Sequence, residues 1–134
     1  MNLFAYGSLI LPEVWEAVTG HSTPSEPGTI HSFIRRTVAG ATFPGILPTG
    51  ERSQTVDGSI YREIDAGTLE ALNEFESDFY IRQPVIAVNA QGEEVQCEAY
   101  VVPPSGADLL SDEKWSLETF SREHLDGFLG RNFS

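Results

Sequence analysis

Glu76 is the residue of this sequence best placed to move a proton. Residues 66–76 carry Leu69, Leu72 and Phe75 at i, i+3 and i+6, an apolar stripe of helical period. Glu76 follows Leu72 by four positions and adjoins Phe75, so it borders the stripe instead of pointing straight into water. Desolvation raises the pKa of a carboxyl at such a border, which suits a general base working near neutrality. The plainer alternative is a solvated glutamate at a helix end. Glu74 lies about 200° away around the helix, so the two do not form a carboxylate pair across one cleft.

Two further segments could serve a bound molecule. In Tyr80-Ile81-Arg82, period-two alternation puts Tyr80 and Arg82 on one face of a strand. Arg82 could then orient a carboxylate, the substrate's or that of Glu76; otherwise it is a surface ion pair of little energetic weight. At the start of the chain, the strand-like run Leu3-Phe4-Ala5-Tyr6 stops at Gly7-Ser8, Leu9 and Ile10 follow, and Pro12 opens a helix. Strand, glycine, hydroxyl, helix presents free backbone N–H groups to an anion or oxyanion, although Gly-Ser ends many strands for turn reasons only. Ser8 has no Gly-x-Ser-x-Gly elbow around it and no His–Asp set spaced to activate it, so it reads as a turn or binding hydroxyl. Cys97, mid-strand, reads as buried rather than reactive. His124, on an apolar helix face, reads as a core histidine. His21, His31 and His124 lack ligand spacing, and one cysteine does not complete a set, so no metal is expected.

The elements that must position these groups follow from pattern. Residues 11–18 make a short helix with Val14, Trp15 and Val18 on one face and Gly20 as its stop. Residues 19–28, with Gly20, Pro24, Pro27 and Gly28, read as a loop. Residues 29–38 read as a strand, and residues 41–48, with prolines on both sides, as an edge strand or a loop. Residues 55–64 make another strand, with Gly58 at a bulge or close approach. Asp65 caps the helix 66–76. Strands 80–88 and 94–102 form a hairpin, and a last helix over residues 116–129 places Leu117, Phe120, His124, Leu125 and Phe128 along one face. Order β-α-β-β-α-β-β-α favours an α+β fold with a small, largely antiparallel sheet able to close on itself.

A chain of 134 residues, 40% hydrophobic, is expected to form one globular domain over residues 1–134. No apolar run approaches the roughly 18–20 residues that span a bilayer. The N-terminus reads directly as strand, without a signal peptide, and the single cysteine makes a cytoplasmic home the default. Twenty acids against eight bases, a net charge of −12, argue against a nucleic-acid partner; Arg35-Arg36 is a basic pair, not a patch. An anionic substrate would need local donors to overcome that field. Oligomeric state leaves no trace in the sequence.

Read jointly, Phe4-Ala5-Tyr6-Gly7-Ser8-Leu9, Phe43-Pro44-Gly45-Ile46, Val56-Asp57-Gly58-Ser59-Ile60-Tyr61, Leu72-Asn73-Glu74-Phe75-Glu76, Tyr80-Ile81-Arg82 and Trp115…Phe120 resemble the gamma-glutamylcyclotransferase-like family, in its short avirulence-induced-gene-like and gamma-glutamylamine cyclotransferase branch. The resemblance covers most of the chain in the family's order. It implies a small mixed, mostly antiparallel β-barrel flanked by short helices, with a pocket for a γ-glutamyl group. The binding loop would fall on Tyr6, Gly7, Ser8 and Leu9 and the acid/base glutamate on Glu76, with a small-molecule γ-glutamyl substrate and no cofactor. One departure is visible: the family commonly has Asp where this chain has Asn73. Two functions stay open, a cyclotransferase releasing 5-oxoproline and a non-catalytic module that keeps the pocket; hydrolysis of the same amide is a third. Selectivity for the leaving group is expected in residues 19–28, 43–52 and 105–114.

Overall fold

The computed structural model describes residues 1–76 and 79–133. Five strands, β1 (Leu3–Ala5), β2 (Ser25–His31), β5 (Thr55–Tyr61), β6 (Ile81–Asn89) and β7 (Glu94–Val101), close into a barrel of order β1-β5-β2-β6-β7. All contacts are antiparallel except the closing one, where Leu3 of β1 pairs with Glu98 of β7 in parallel. β3 (Phe33–Thr37) and β4 (Pro44–Pro48) form a separate two-stranded sheet. It is tied to the barrel where the Val102 N–H donates to the Ile46 carbonyl at 3.1 Å.

Period-two alternation explains why β1 is apolar throughout. Phe4 and Tyr6 point into the barrel core with Ile30, Val56, Ile60, Val85, Cys97 and Ala99, while Leu3 and Ala5 face a second core under the helices. That second core holds Trp15 of α1 (Pro12–Thr19), Leu72 of α2 (Ala66–Glu76), and Trp115, Phe120 and Phe128 near the C-terminus. Trp15 stacks on Tyr61 with ring centroids 3.7 Å apart and planes 7° from parallel. Asp65 caps α2, its carboxylate accepting from the Thr68 N–H at 2.7 Å. Gly58 is a close approach: a Cβ there would collide with the Ala5 carbonyl and the Phe4 ring.

Three expectations need correction. Residues 19–28 are not all loop, since β2 begins at Ser25. Pro27 is tolerated because β6 pairs with β2 only from Gly28 onward, leaving the Pro27 position without a ladder bond to lose on that side. The strand expected over residues 29–38 is broken at Ser32, whose φ of 68° turns the chain out of the barrel into the second sheet. The last helix is not uniform: α3 (Leu117–Thr119) passes through a π-turn at Phe120–His124 into α4 (Leu125–Phe133). Residues 41–48 supply β4, an edge strand as their two prolines require. No helix among the described residues is long and apolar enough to cross a membrane.

Candidate active site

The segment 6–9 leaves β1 and turns through one 3-10 turn, Ser8–Ile10, before α1. Neighbours pin it at both ends. Arg35 of β3 donates to the Tyr6 carbonyl at 2.8 Å, and the Tyr61 hydroxyl donates to the Leu9 carbonyl at 2.7 Å. Between them Gly7 lies against Pro44, where a Cβ would come 3.0 Å from Cγ of the ring. The 3-10 turn uses the N–H groups of Ile10 and Leu11, which leaves those of Gly7, Ser8 and Leu9 outside its hydrogen bonds. Ser8 is buried against the cavity described next.

That cavity, of about 300 Å³, is bounded on one side by β1 and residues 6–9 and on the other by the C-terminal end of α2. Its size matches the lower range of small-molecule pockets, about 300–1,000 Å³. Glu76 lines it, and desolvation pushes its carboxyl up to about 8. Three tyrosines surround the carboxyl. Burial raises the pKa of each phenol, and the nearby charge of Glu76 raises it further, taking Tyr100 to about 12. Their hydroxyls are already committed: Tyr6 donates to the Tyr100 carbonyl, Tyr80 to the Pro44 carbonyl at 2.7 Å, and Tyr100 to Oδ1 of Asn73 at 2.6 Å. The cavity's remaining walls include Phe43, just before β4, Pro44 at its start, and Phe75, Phe79 and Phe128.

The structure therefore gathers Glu76, Tyr6, Gly7, Ser8, Leu9 and Tyr80 around one cavity. It does not bring Arg82 there. Tyr80 precedes β6 and turns toward Pro44, so the expected shared strand face does not form. Arg82 is exposed, pairing with Glu98 at 2.5 Å and donating to Asn73 at 2.8 Å. Tyr100 and Phe79 also line the cavity and were not singled out from sequence; Phe43, at the start of the segment 43–52 expected to set selectivity, lines it too. The signal available for Tyr100 was an aromatic ring on the face of β7 opposite Cys97 and Ala99. Cys97 is buried in the barrel, its thiol pushed up to about 11 by desolvation, and has no part in the cavity.

A small closed barrel with one desolvated carboxyl and a turn from the end of β1 lining the same cavity defines the class of this protein: a barrel with a small-molecule pocket at one end of its first strand. Residues 3–117 match the family described as "Gamma-glutamyl cyclotransferase, AIG2-like", and the chain belongs to that family. It is 28% identical over 131 residues to AIG2-like protein D of Arabidopsis thaliana, covering 96% of this chain and 84% of the relative. Its fold is similar to an Arabidopsis thaliana solution structure, with a TM-score of 0.74 at 23% identity over 97% of this chain and 78% of the other. A solved structure described as gamma-glutamyl cyclotransferase aligns with a TM-score of 0.64 at 21% identity, over 76% of this chain and 66% of the other.

Proposed function

We propose that this protein is a γ-glutamyl cyclotransferase in which Glu76 shuttles a proton. The observation that carries this reading is that the Glu76 carboxyl lines the same cavity as residues 6–9, whose turn leaves the N–H groups of residues 7–9 outside its own hydrogen bonds; desolvation there pushes the carboxyl up to about 8. The substrate carries its own nucleophile. Its α-amine attacks the γ-carbonyl carbon, closing a five-membered lactam, and the intramolecular geometry is worth roughly 7–11 kcal/mol when well oriented.

The α-amine arrives as an ammonium with a pKa of about 8 or slightly higher. Without ligand the carboxyl is pushed up to about 8 by desolvation; the arriving positive charge favours its ionised form, and that carboxylate accepts a proton from the ammonium. The new C–N bond forms, and the carbonyl oxygen becomes an oxyanion. N–H groups of residues 7–9 would hold it. Glu76 then returns the proton to the leaving nitrogen, the oxyanion collapses back to a carbonyl and the original amide bond breaks; the ring nitrogen gives its remaining extra proton to the freed Glu76 carboxylate, which passes it to the departing amine, and 5-oxoproline leaves with an ammonium. No group outside the substrate and these residues takes part in that sequence.

The test is release of 5-oxoproline from γ-glutamyl-alanine, ε-(γ-glutamyl)-lysine and glutathione, with Glu76→Gln beside the wild type. Product from the wild type and its loss in a folded variant is the expected result. Free glutamate in place of 5-oxoproline would assign hydrolysis instead, and undiminished turnover by Glu76→Gln would remove the glutamate from the mechanism.

A further inference from the structure

We infer that the leaving group this site prefers is an uncharged apolar amine, aromatic or branched alkyl, rather than an amino acid, a lysine isopeptide or a peptide. This rests on the cyclotransferase reading and asks what lies beyond the γ-glutamyl half of the substrate. That half brings an ammonium, a carboxylate and the γ-carbonyl oxygen, which between them take up the polar groups of the cavity: Glu76, Ser8 and the N–H groups of residues 7–9. The tyrosine hydroxyl protons are already given to the Tyr100 and Pro44 carbonyls and to Asn73.

What is left for the leaving group is aromatic. Phe43 and Phe79 enter from two different connections, both half-buried, so each presents ring surface that a ligand could cover. Phe79 leans on Tyr80 with centroids 4.7 Å apart, which fixes its ring beside the carboxyl's neighbour. Phe75 and Phe128 meet edge-on at 6.1 Å and close the wall beside them. Among the described residues that line the cavity there is no Lys, Arg or His. Of the segments expected to set selectivity, 19–28 and 105–114 contribute no lining residue, and 43–52 contributes only Phe43 and Pro44. A leaving group with its own carboxylate would bury that charge with no cation to meet it, inside a chain of net charge −12. An apolar amine would instead cover the rings and displace water from them.

The deciding pair is γ-glutamyl-phenethylamide against γ-glutamyl-phenylalanine, which differ only in the second carboxylate; ε-(γ-glutamyl)-lysine and glutathione complete the panel. Release of 5-oxoproline is measured for each with wild type, Phe79→Ala and Phe43→Leu. The expected result is kcat/KM for the phenethylamide at least about tenfold above that for the phenylalanine compound, and higher still above the other two. Either variant should narrow that advantage, chiefly through KM for the phenethylamide. Turnover of a charged-leaving-group substrate as fast as the phenethylamide overturns the inference and leaves the cyclotransferase reading standing. An advantage that both variants retain in full overturns the assignment to this aromatic wall. No 5-oxoproline from any of the four overturns the cyclotransferase reading and this inference with it.

Discussion

The Tyr100 hydroxyl and the Arg82 guanidinium donate to the same atom, Oδ1 of Asn73, at 2.6 and 2.8 Å. Asn73 stands one helical turn before Glu76 on α2, and Tyr100 lines the cavity with that glutamate. A neutral amide here gives both donors an acceptor without putting a second negative charge beside the carboxyl. Asn73→Asp would keep the acceptor and add the charge. Like charges at i, i+3 disfavour each other's ionised forms, so the pKa of Glu76 should rise. We expect the rising limb of kcat/KM against pH to move upward and activity at pH 7 to fall by about twofold. A limb that moves downward would show that Arg82 more than neutralises the added carboxylate.

Glu76→Gln should lower kcat by about 10²–10⁴ and at the same time stabilise the protein at alkaline pH. The folded-state pKa of about 8 lies above the ordinary carboxylate value of 4.5. The folded protein therefore holds a proton that the unfolded chain has released between those two values. The contribution of this group is fully present below pH 4.5 and is lost as pH rises through 8. Glutamine has no charge to desolvate, so the variant's advantage in Tm should be absent at pH 4 and grow to a plateau above pH 8. Parallel Tm curves for the two proteins across that range would mean that the carboxyl is solvated.

Gly58→Ala tests the barrel where β5 packs on Phe4 and Ala5, two residues that also line the cavity. The added methyl would run into the Ala5 carbonyl and the Phe4 ring where β5 crosses β1. Backbone on one side and a buried ring on the other give it nowhere to go, and a loss of about 3 kcal/mol is expected in urea unfolding. A change below about 0.5 kcal/mol would mean that the strands part easily there.

Much of this arrangement was legible in sequence because local pattern determined it. The stripe Leu69-Leu72-Phe75 placed Glu76 at the edge of a buried helix face, and the apolar run from Leu3 to Tyr6 marked the first strand. The Asp65 cap and the close approach at Gly58 also came from residue type and position. What escaped was set by non-local contacts. Nothing near Ser32 announces a left-handed residue that ends one sheet and starts another; the turn exists because β3 must leave the barrel to meet β4. Arg82 was misplaced because the strand begins one residue later than its apolar pattern, which frees Tyr80 to reach Pro44 across 36 positions of sequence. Phe43 and Phe79 are ordinary loop aromatics until the fold brings their segments to the same cavity.

Arg35 is the residue through which the second sheet acts on the cavity. Its guanidinium donates to the Tyr6 carbonyl at 2.8 Å and to the Asp57 carbonyl at 3.0 Å, and lies 5.3 Å from the centre of the Trp115 ring. Burial lowers its pKa, which means the charge is held in a partly desolvated place and its hydrogen bonds are worth more than surface ones. Trp115 is itself fixed, donating to the Thr42 carbonyl at 2.8 Å, one residue before Phe43. Arg35 thus links segment 6–9, β5 and the approach to the aromatic wall. Lysine would keep the charge but lose the planar fork and the stacking on Trp115. Arg35→Lys should cost about 1.5–3 kcal/mol of stability, because the two carbonyls no longer share one rigid donor. As a positioning residue it should also raise KM for a γ-glutamyl substrate more than it lowers kcat, since a looser Tyr6 carbonyl loosens the N–H groups that follow it. The two effects separate the roles: a drop in Tm with KM unchanged would make Arg35 a brace of the fold alone, whereas a raised KM at a temperature where the variant is fully folded would place it in control of the binding loop.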